Sequence, residues 1–256
     1  MFIEMDFLGV DCVRRKLVGA FVLWLAATAG AFASPDKEEL FRQLQVRAEA
    51  GVAIAQYNLG MFYNNGIGTS ENPEAAFQWF EKAARAGDWL GSYKVGCYYA
   101  GQFGDVVKPD AEKALSYKLE AAQAGYVLAQ HDVAISYARR GAYEEAFKWL
   151  QAAAGQGDLT ALVMLSQAYG QGRGVEKSPA KAYEHLLIVL RLVPESQAGE
   201  LKPLLDDLQK QLDAEAITDA EQAAKAWSPL PTELTMRARE GIREAISVAQ
   251  SQLIHP

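Results

Sequence analysis

The chain is poor in the residues that staple or metallate small folds. It has two cysteines, Cys12 and Cys97, and three histidines, His131, His185 and His255, among 256 residues. The histidines are too scattered for a metal site by local spacing, so no cofactor is expected. Once an N-terminal segment is removed only Cys97 is left, and one thiol cannot form an internal disulfide. The fold must therefore hold by packing alone. Positive charge is also scarce: 25 basic against 32 acidic residues give a net charge of −7. A phosphate-binding protein needs a concentrated basic face, so no nucleic-acid partner is expected. Finally, only one long apolar run occurs, and it lies near the N-terminus.

That run follows Arg14, Arg15 and Lys16, spans Leu17 to Ala33, and closes with Ala31-Phe32-Ala33 before Ser34-Pro35. A basic start, an apolar middle and an Ala-x-Ala end read as a secretory signal peptide over residues 1–33, cleaved after Ala33. The run is also close to the length that spans a bilayer, so an uncleaved inner-membrane anchor facing the periplasm is the alternative. Glu4, Asp6 and Asp11 suit a signal n-region poorly and would fit a start codon assigned too early. Cleavage removes three basic and three acidic residues, so the mature net charge stays at −7. The expected location is periplasmic or secreted.

Beyond residue 35 the dominant feature is a repeat. Tyr63, Tyr99, Tyr137 and Tyr169 are spaced by 36, 38 and 32 residues. Three residues before each stands a small residue (Gly60, Gly96, Ala134, Ser166), preceded by an aliphatic one (Leu59, Val95, Val133, Leu165). A second pattern follows each tyrosine: Ala76, Ala114, Ala146 and Ala182, each followed directly by a bulky residue, then Trp79, Tyr117, Trp149 and His185. Ala83, Ala121 and Ala153 come four residues later, and Gly87, Gly125 and Gly157 four later again. Steps of four put these on one helical stripe. The closing glycine suits a left-handed C-cap, and Pro73 and Pro179 suit the first turn of the second helix. The loops after Tyr63 and Tyr169 share a Tyr-x-x-Gly-x-Gly form, whereas the loop after Tyr137 is clipped.

These residues resemble the Sel-1-like repeat (SLR) family of bacterial exported type, a relative of the tetratricopeptide repeat. Its pattern is Ala-x-x-x-Leu-Gly-x-x-Tyr, a Gly-x-Gly loop, then Lys-Ala-x-x-Trp-x-x-x-Ala-Ala-x-x-Gly. The resemblance implies an all-α fold, an α/α superhelical solenoid whose concave face is lined by the first helices. One helix pair cannot bury its own apolar stripe, and stacking buries it against the next pair. The expected organisation is a half repeat over 36–51, repeats over 52–87, 88–125, 126–157 and 158–193, and a helical C-terminal cap over 194–256. Leu59, Gly60, Tyr63, Trp79, Gly87, Gly96, Tyr99, Gly125, Tyr137, Trp149, Gly157 and Tyr169 are its structural markers.

In the C-terminal third, residues 194–216 read as one helix or two, broken near Pro203. Thr218 and Glu221 read as a capping box, and Ser228-Pro229-Leu230-Pro231 as a break. Residues 232–254 read as one last helix with an apolar stripe, packed on the end of the array.

Enzymatic motifs fare poorly. Ser178-Pro179-Ala180-Lys181 has the Ser-x-x-Lys spacing of penicillin-recognising enzymes without their other two motifs, and Ser178 sits where an N-cap belongs. The glycine-rich loops follow no strand, so they read as turns rather than phosphate cradles. Some cysteine-rich members of the resembled family bind or hydrolyse β-lactams, but each of their repeats carries a cysteine pair that this chain lacks. The expected function is a non-enzymatic scaffold that binds a protein or peptide in the groove. An envelope enzyme, or a binder of β-lactam or peptidoglycan ligands, is the alternative. Groove-facing candidates flank the Leu-Gly-Tyr stripe: Asn58, Met61, Asn65, Lys94, Cys97, Asp132, Ile135 and Arg139.

Overall fold

Helix pairs follow one another from the start of the described region. The computed structural model describes residues 36–251, and among these there are helices and no strands. The signal-peptide or anchor segment and His255 lie outside the described residues. A lone helix, α1 (Lys37–Glu49), opens the stack as the half repeat. Four pairs follow: α2 (Ala53–Asn65) with α3 (Pro73–Arg85), α4 (Trp89–Tyr99) with α5 (Ala111–Gln123), α6 (Val127–Arg139) with α7 (Tyr143–Gly155), and α8 (Leu159–Gln171) with α9 (Pro179–Leu192). Each helix packs on its sequence neighbour, so the core runs continuously along the stack.

The marker residues sit where their chemistry requires. Leu59, Val95, Val133 and Leu165 are buried. A Cβ at Gly60 would come within 2.7 Å of the Phe80 ring, and one at Gly96 within 2.8 Å of the Lys118 side chain. The second helix thus crosses so close that only a small residue fits. Ser166 occupies the equivalent place in the fourth repeat and uses its hydroxyl to donate to the Ala182 carbonyl at 2.8 Å. Tyr63, Tyr99, Tyr137 and Tyr169 are half-buried and join the apolar clusters beside the second helices. Trp79 and Trp149 also pack against these clusters. Gly87, Gly125 and Gly157 all take positive φ, between 83° and 93°, as C-cap residues do. The third turn is short, with only residues 140–142 between α6 and α7.

The C-terminal third departs from expectation in three places. Helix α10 (Glu195–Gln209) runs through Pro203 without breaking. Pro203 and Gly199 are both exposed, so the carbonyl that loses its helical partner can be hydrated. Helix α11 (Ala214–Ala226) starts earlier than the Thr218–Glu221 box, because the Asp213 carboxylate accepts from the Ala216 amide at 2.8 Å. Thr218 lies inside that helix and donates to the Ala214 carbonyl. The last helix is two: α12 (Glu233–Glu240) and α13 (Ile242–Gln250) are separated by Gly241, at φ 55° and ψ −122°.

Helices α10 and α11 close the stack against α9. The rest of the chain does not stay there. Helix α13 packs on α1 and α2 at the opposite end, burying Ala245 and Ala249 against Leu40, Leu44 and Phe62. Residues 228–250 therefore travel the length of the array, antiparallel to its own direction.

Candidate partner-binding groove

The first helices begin in a row of inter-repeat turns, and this row is where the returning segment lies. The Leu230 amide donates to the Gly155 carbonyl at 2.9 Å. The Thr232 amide donates to Gln156 Oε1 at 3.0 Å, and its hydroxyl donates to the Gly125 carbonyl at 2.9 Å. The Thr235 hydroxyl donates to Gln156 Oε1 at 2.7 Å and accepts from the Val127 amide at 3.1 Å. Gln156 in turn donates to Gly125 and to Gln130 Oε1, both at 2.8 Å. Further along, Arg237 forms ion pairs with Asp88 and Glu244 and lies over the Tyr57 ring, 5.5 Å from its centroid. Glu244 accepts from Asn58 Nδ2 at 2.9 Å, and Arg47 donates to the Ala249 carbonyl.

The seat of this segment is polar and water-poor. Asp88 is 3% exposed, Gln156 4% and Thr235 1%. Burial pushes the Asp88 carboxyl above the usual carboxylate range, while Arg237 and the Gly91 amide pull it back. Burial opposes the Arg237 charge, but Asp88 and Glu244 together outweigh it and the guanidinium stays cationic. Burial likewise raises the Tyr57 phenol. Beside the seat, Tyr93 and Tyr126 meet edge to face at 4.9 Å, and Leu234 and Ala238 pack on their cluster.

The eight residues expected to face an open groove divide into two groups. Asn58, Cys97 and Asp132 are buried and already engaged, which corrects the expectation that they line free surface. Asn58 holds Glu244 and the Ile54 carbonyl. Asp132 pairs with Lys118 at 2.9 Å and accepts from the Tyr93 hydroxyl at 3.2 Å. Burial raises the Cys97 thiol. Lys94 is half-buried, with its ammonium pKa pushed down by burial and its Nζ 5.9 Å from the Phe103 ring centroid. Met61 and Ile135 are half-buried, while Asn65 and Arg139 are exposed. The exposed candidates therefore stand at the C-terminal ends of α2 and α6, and the returning segment occupies the N-terminal halves of α2, α4 and α6. Sequence reasoning missed Tyr57 and Tyr93, one turn before Met61 and Cys97 on α2 and α4, and also Asp88 and Gln156, which cap the start of α4 and the end of α7. Ser178, the Ser-x-x-Lys candidate, caps α9 by accepting from the Lys181 amide at 3.3 Å, and Lys181 pairs with Glu184.

The model of the Sel1 repeat matches residues 53–88, 90–126, 128–158 and 159–188, more than half of the chain. The chain belongs to the Sel1 repeat family. Members are generally protein–protein interaction scaffolds and typically non-catalytic. Among solved structures, a Sel1 repeat protein from Oxalobacter formigenes is similar at 26% identity and a TM-score of 0.60, covering 74% of this chain and 79% of that one. The protective antigen c5321 of uropathogenic Escherichia coli, which displays an SLR fold, matches at 22% identity and a TM-score of 0.47, over 77% of this chain and 50% of that one. A search of curated proteins finds no match. The Sel1 matches end at residue 188, so the returning segment lies outside the repeats that define the family.

Proposed function

We propose that this protein is a non-enzymatic scaffold of the cell envelope that holds a protein or peptide segment along the face formed by the first helices α2, α4, α6 and α8. The observation that carries the reading is that the edge of this face, along the inter-repeat turns where α4 and α6 begin, already holds a polypeptide. Residues 228–250 lie on it through main-chain and side-chain hydrogen bonds and an ion pair to the buried Asp88. A surface that pairs with backbone carbonyls, amides and an arginine is chemically a peptide surface. Export rests on Arg14 to Ser34 alone.

Placing a photo-crosslinking residue at Asn65 or Ile135 in the full chain, in the envelope fraction, tests the function. Discrete protein adducts that fade with Arg139→Glu are expected. Absence of adducts, or adducts indifferent to that change, would sink the reading. The export claim has its own measurement: the mature protein should begin at Ser34 on N-terminal sequencing.

A further inference from the structure

The four repeats start at equivalent positions, and these positions are not equivalent chemically. Asp88 and Asp158 are N-caps whose carboxylates accept from the amides of Gly91 at 3.0 Å and Ala161 at 2.7 Å. The third repeat has Tyr126 at that position, and its side chain makes no capping bond to α6. The first amide of α6, on Val127, instead donates to the Thr235 hydroxyl, from 108 residues away. The returning segment thus supplies an acceptor to a helix start whose own N-cap side chain gives none.

The rest of the seat is equally specific. The turn leading into the third repeat offers the Gly125 carbonyl, and the Gln156 side chain offers an amide oxygen, to two threonines spaced three apart. The second repeat offers the outer oxygen of Asp88 to an arginine two residues further on. A Cβ at Gly125 would come within 2.9 Å of the Thr232 methyl, and one at Gly157 within 2.9 Å of Pro229. At the equivalent glycines Gly51 and Gly87 a Cβ would meet nothing within 4 Å. The segment presses closest on the turns at Gly125 and Gly157.

What holds the segment is shallow in apolar terms. Thr235 is the sole buried side chain of α12, and α13 buries two alanines. Leu230, Met236 and Ile242 remain exposed. Besides its polar contacts and alanines the segment packs the partly buried Leu234, Ile246 and Val248, so it forfeits modest apolar burial when it leaves. The polar groups it abandons, the Val127 amide, Gln156 and Asp88, need replacement partners of the same chemistry.

We infer that the Gln156–Gly125–Val127–Asp88 seat is a recognition site for a helical peptide start of the form Thr-x-x-Thr-x-Arg. Residues 228–250 occupy it in cis, as a latch that an incoming partner segment of the same chemistry displaces. The inference deepens the proposed function and rests on it only for the identity of the natural partner. Tethering gives the chain's own segment a local concentration of about millimolar. An outside peptide therefore competes poorly until the latch is weakened.

The test uses the full chain carrying Thr235→Val and Arg237→Glu, which changes no residue of the array itself. The probe is a fluorescent synthetic peptide spanning residues 228–251 of this protein. Anisotropy should show binding to the variant at least tenfold tighter than to the unaltered chain, and amide exchange at Val127 and along 229–250 should speed up. Adding Asp88→Asn to the variant should abolish the gain. Equal binding to both chains, or unchanged exchange in the variant, overturns the inference. Arg237→Gln alone, at a partly exposed side chain, serves if the double variant loses helix content by circular dichroism, with the same directions expected. A successful peptide exchange combined with no envelope adducts would refute the proposed function and leave the latch standing.

Discussion

The Gly-x-Gly loops make a prediction that separates fold geometry from local backbone preference. In both long loops the second glycine, Gly68 or Gly174, presses on the start of an earlier helix. Its φ is +66° or +72°, and a Cβ there would lie 2.0 Å from the Lys37 carbonyl oxygen or 2.1 Å from that of Tyr143. These are backbone atoms at the starts of α1 and α7, so neither neighbour can swing aside. Gly104, in the second repeat, has φ +72° but nothing within 4 Å. Alanine at Gly104 should cost only left-handed strain, about 1–2 kcal/mol. Alanine at Gly68 or Gly174 should carry that strain plus an overpacking cost of about 1–3 kcal/mol, for roughly 2–5 kcal/mol in total. A domain's net stability is of the order of 5–15 kcal/mol, so the difference is measurable. Urea unfolding of the three variants decides it, with amide exchange reporting on α1 and α7 separately because repeat arrays can unfold in parts. Equal costs at all three glycines would mean that the loops do not lock one repeat to the one before.

Three shorter predictions follow from the same contacts. Gly125→Ala should raise amide exchange along residues 229–240 by displacing Thr232, whereas Gly87→Ala should leave that segment's exchange unchanged. Lys118→Met should cost about 3–5 kcal/mol by removing the cation that balances the buried Asp132 carboxylate, and adding Asp132→Leu should recover much of the loss; urea midpoints at one pH read both. Burial lowers the pKa of His185 despite the opposing Lys181 carbonyl, with Glu184, Lys181 and Tyr169 around it. Its contribution is therefore present above the ordinary histidine value of 6.5 and is lost as pH falls below it. Urea midpoints measured at pH 7.5 and at about pH 5.5 should converge in His185→Phe relative to the parent chain, and an unchanged gap would remove His185 as the cause.

The repeat was legible because its contacts are periodic and local. Leu59, Gly60 and Tyr63 recur with their partners Ala76, Trp79 and Gly87 inside one helix pair, and the same pair then stacks on the next. Steric need is written in residue size: Gly60 and Gly96 stand where a Cβ would strike Phe80 or Lys118. The C-terminal third has no such register. Pro203 reads as a helix breaker because a proline removes one bond, yet on an exposed face water replaces what is lost. Thr218 and Glu221 have the spacing of a capping box, but Asp213 lies closer to the chain's actual turn and caps first. The occupied seat centres on Tyr57, Asp88 and Tyr126, whereas the exposed candidates Asn65 and Arg139 stand at the far ends of α2 and α6.

The path of the last segment was the least legible feature, and the reason is physical. An apolar stripe on residues 232–254 states that the helix is covered without stating by what. Its partners lie between 76 and 202 residues away in the chain, and most are polar groups that carry no periodicity. A trace of the arrangement is nonetheless present in the repeat itself. Aligning the residues after each closing glycine gives Val52, Asp88, Tyr126 and Asp158. Two can cap their helix, and Val52 and Tyr126 make no capping bond. The start of α6 is buried, and a buried amide must find an acceptor, so a third repeat without its own cap calls for a hydroxyl or carboxylate from outside the pair. Thr235 answers that requirement at Val127. Of the two uncapped starts, the one at Val52 is exposed and open to water, so it is the buried one at Tyr126 that marks where another part of the chain, or a partner in its place, has to bind.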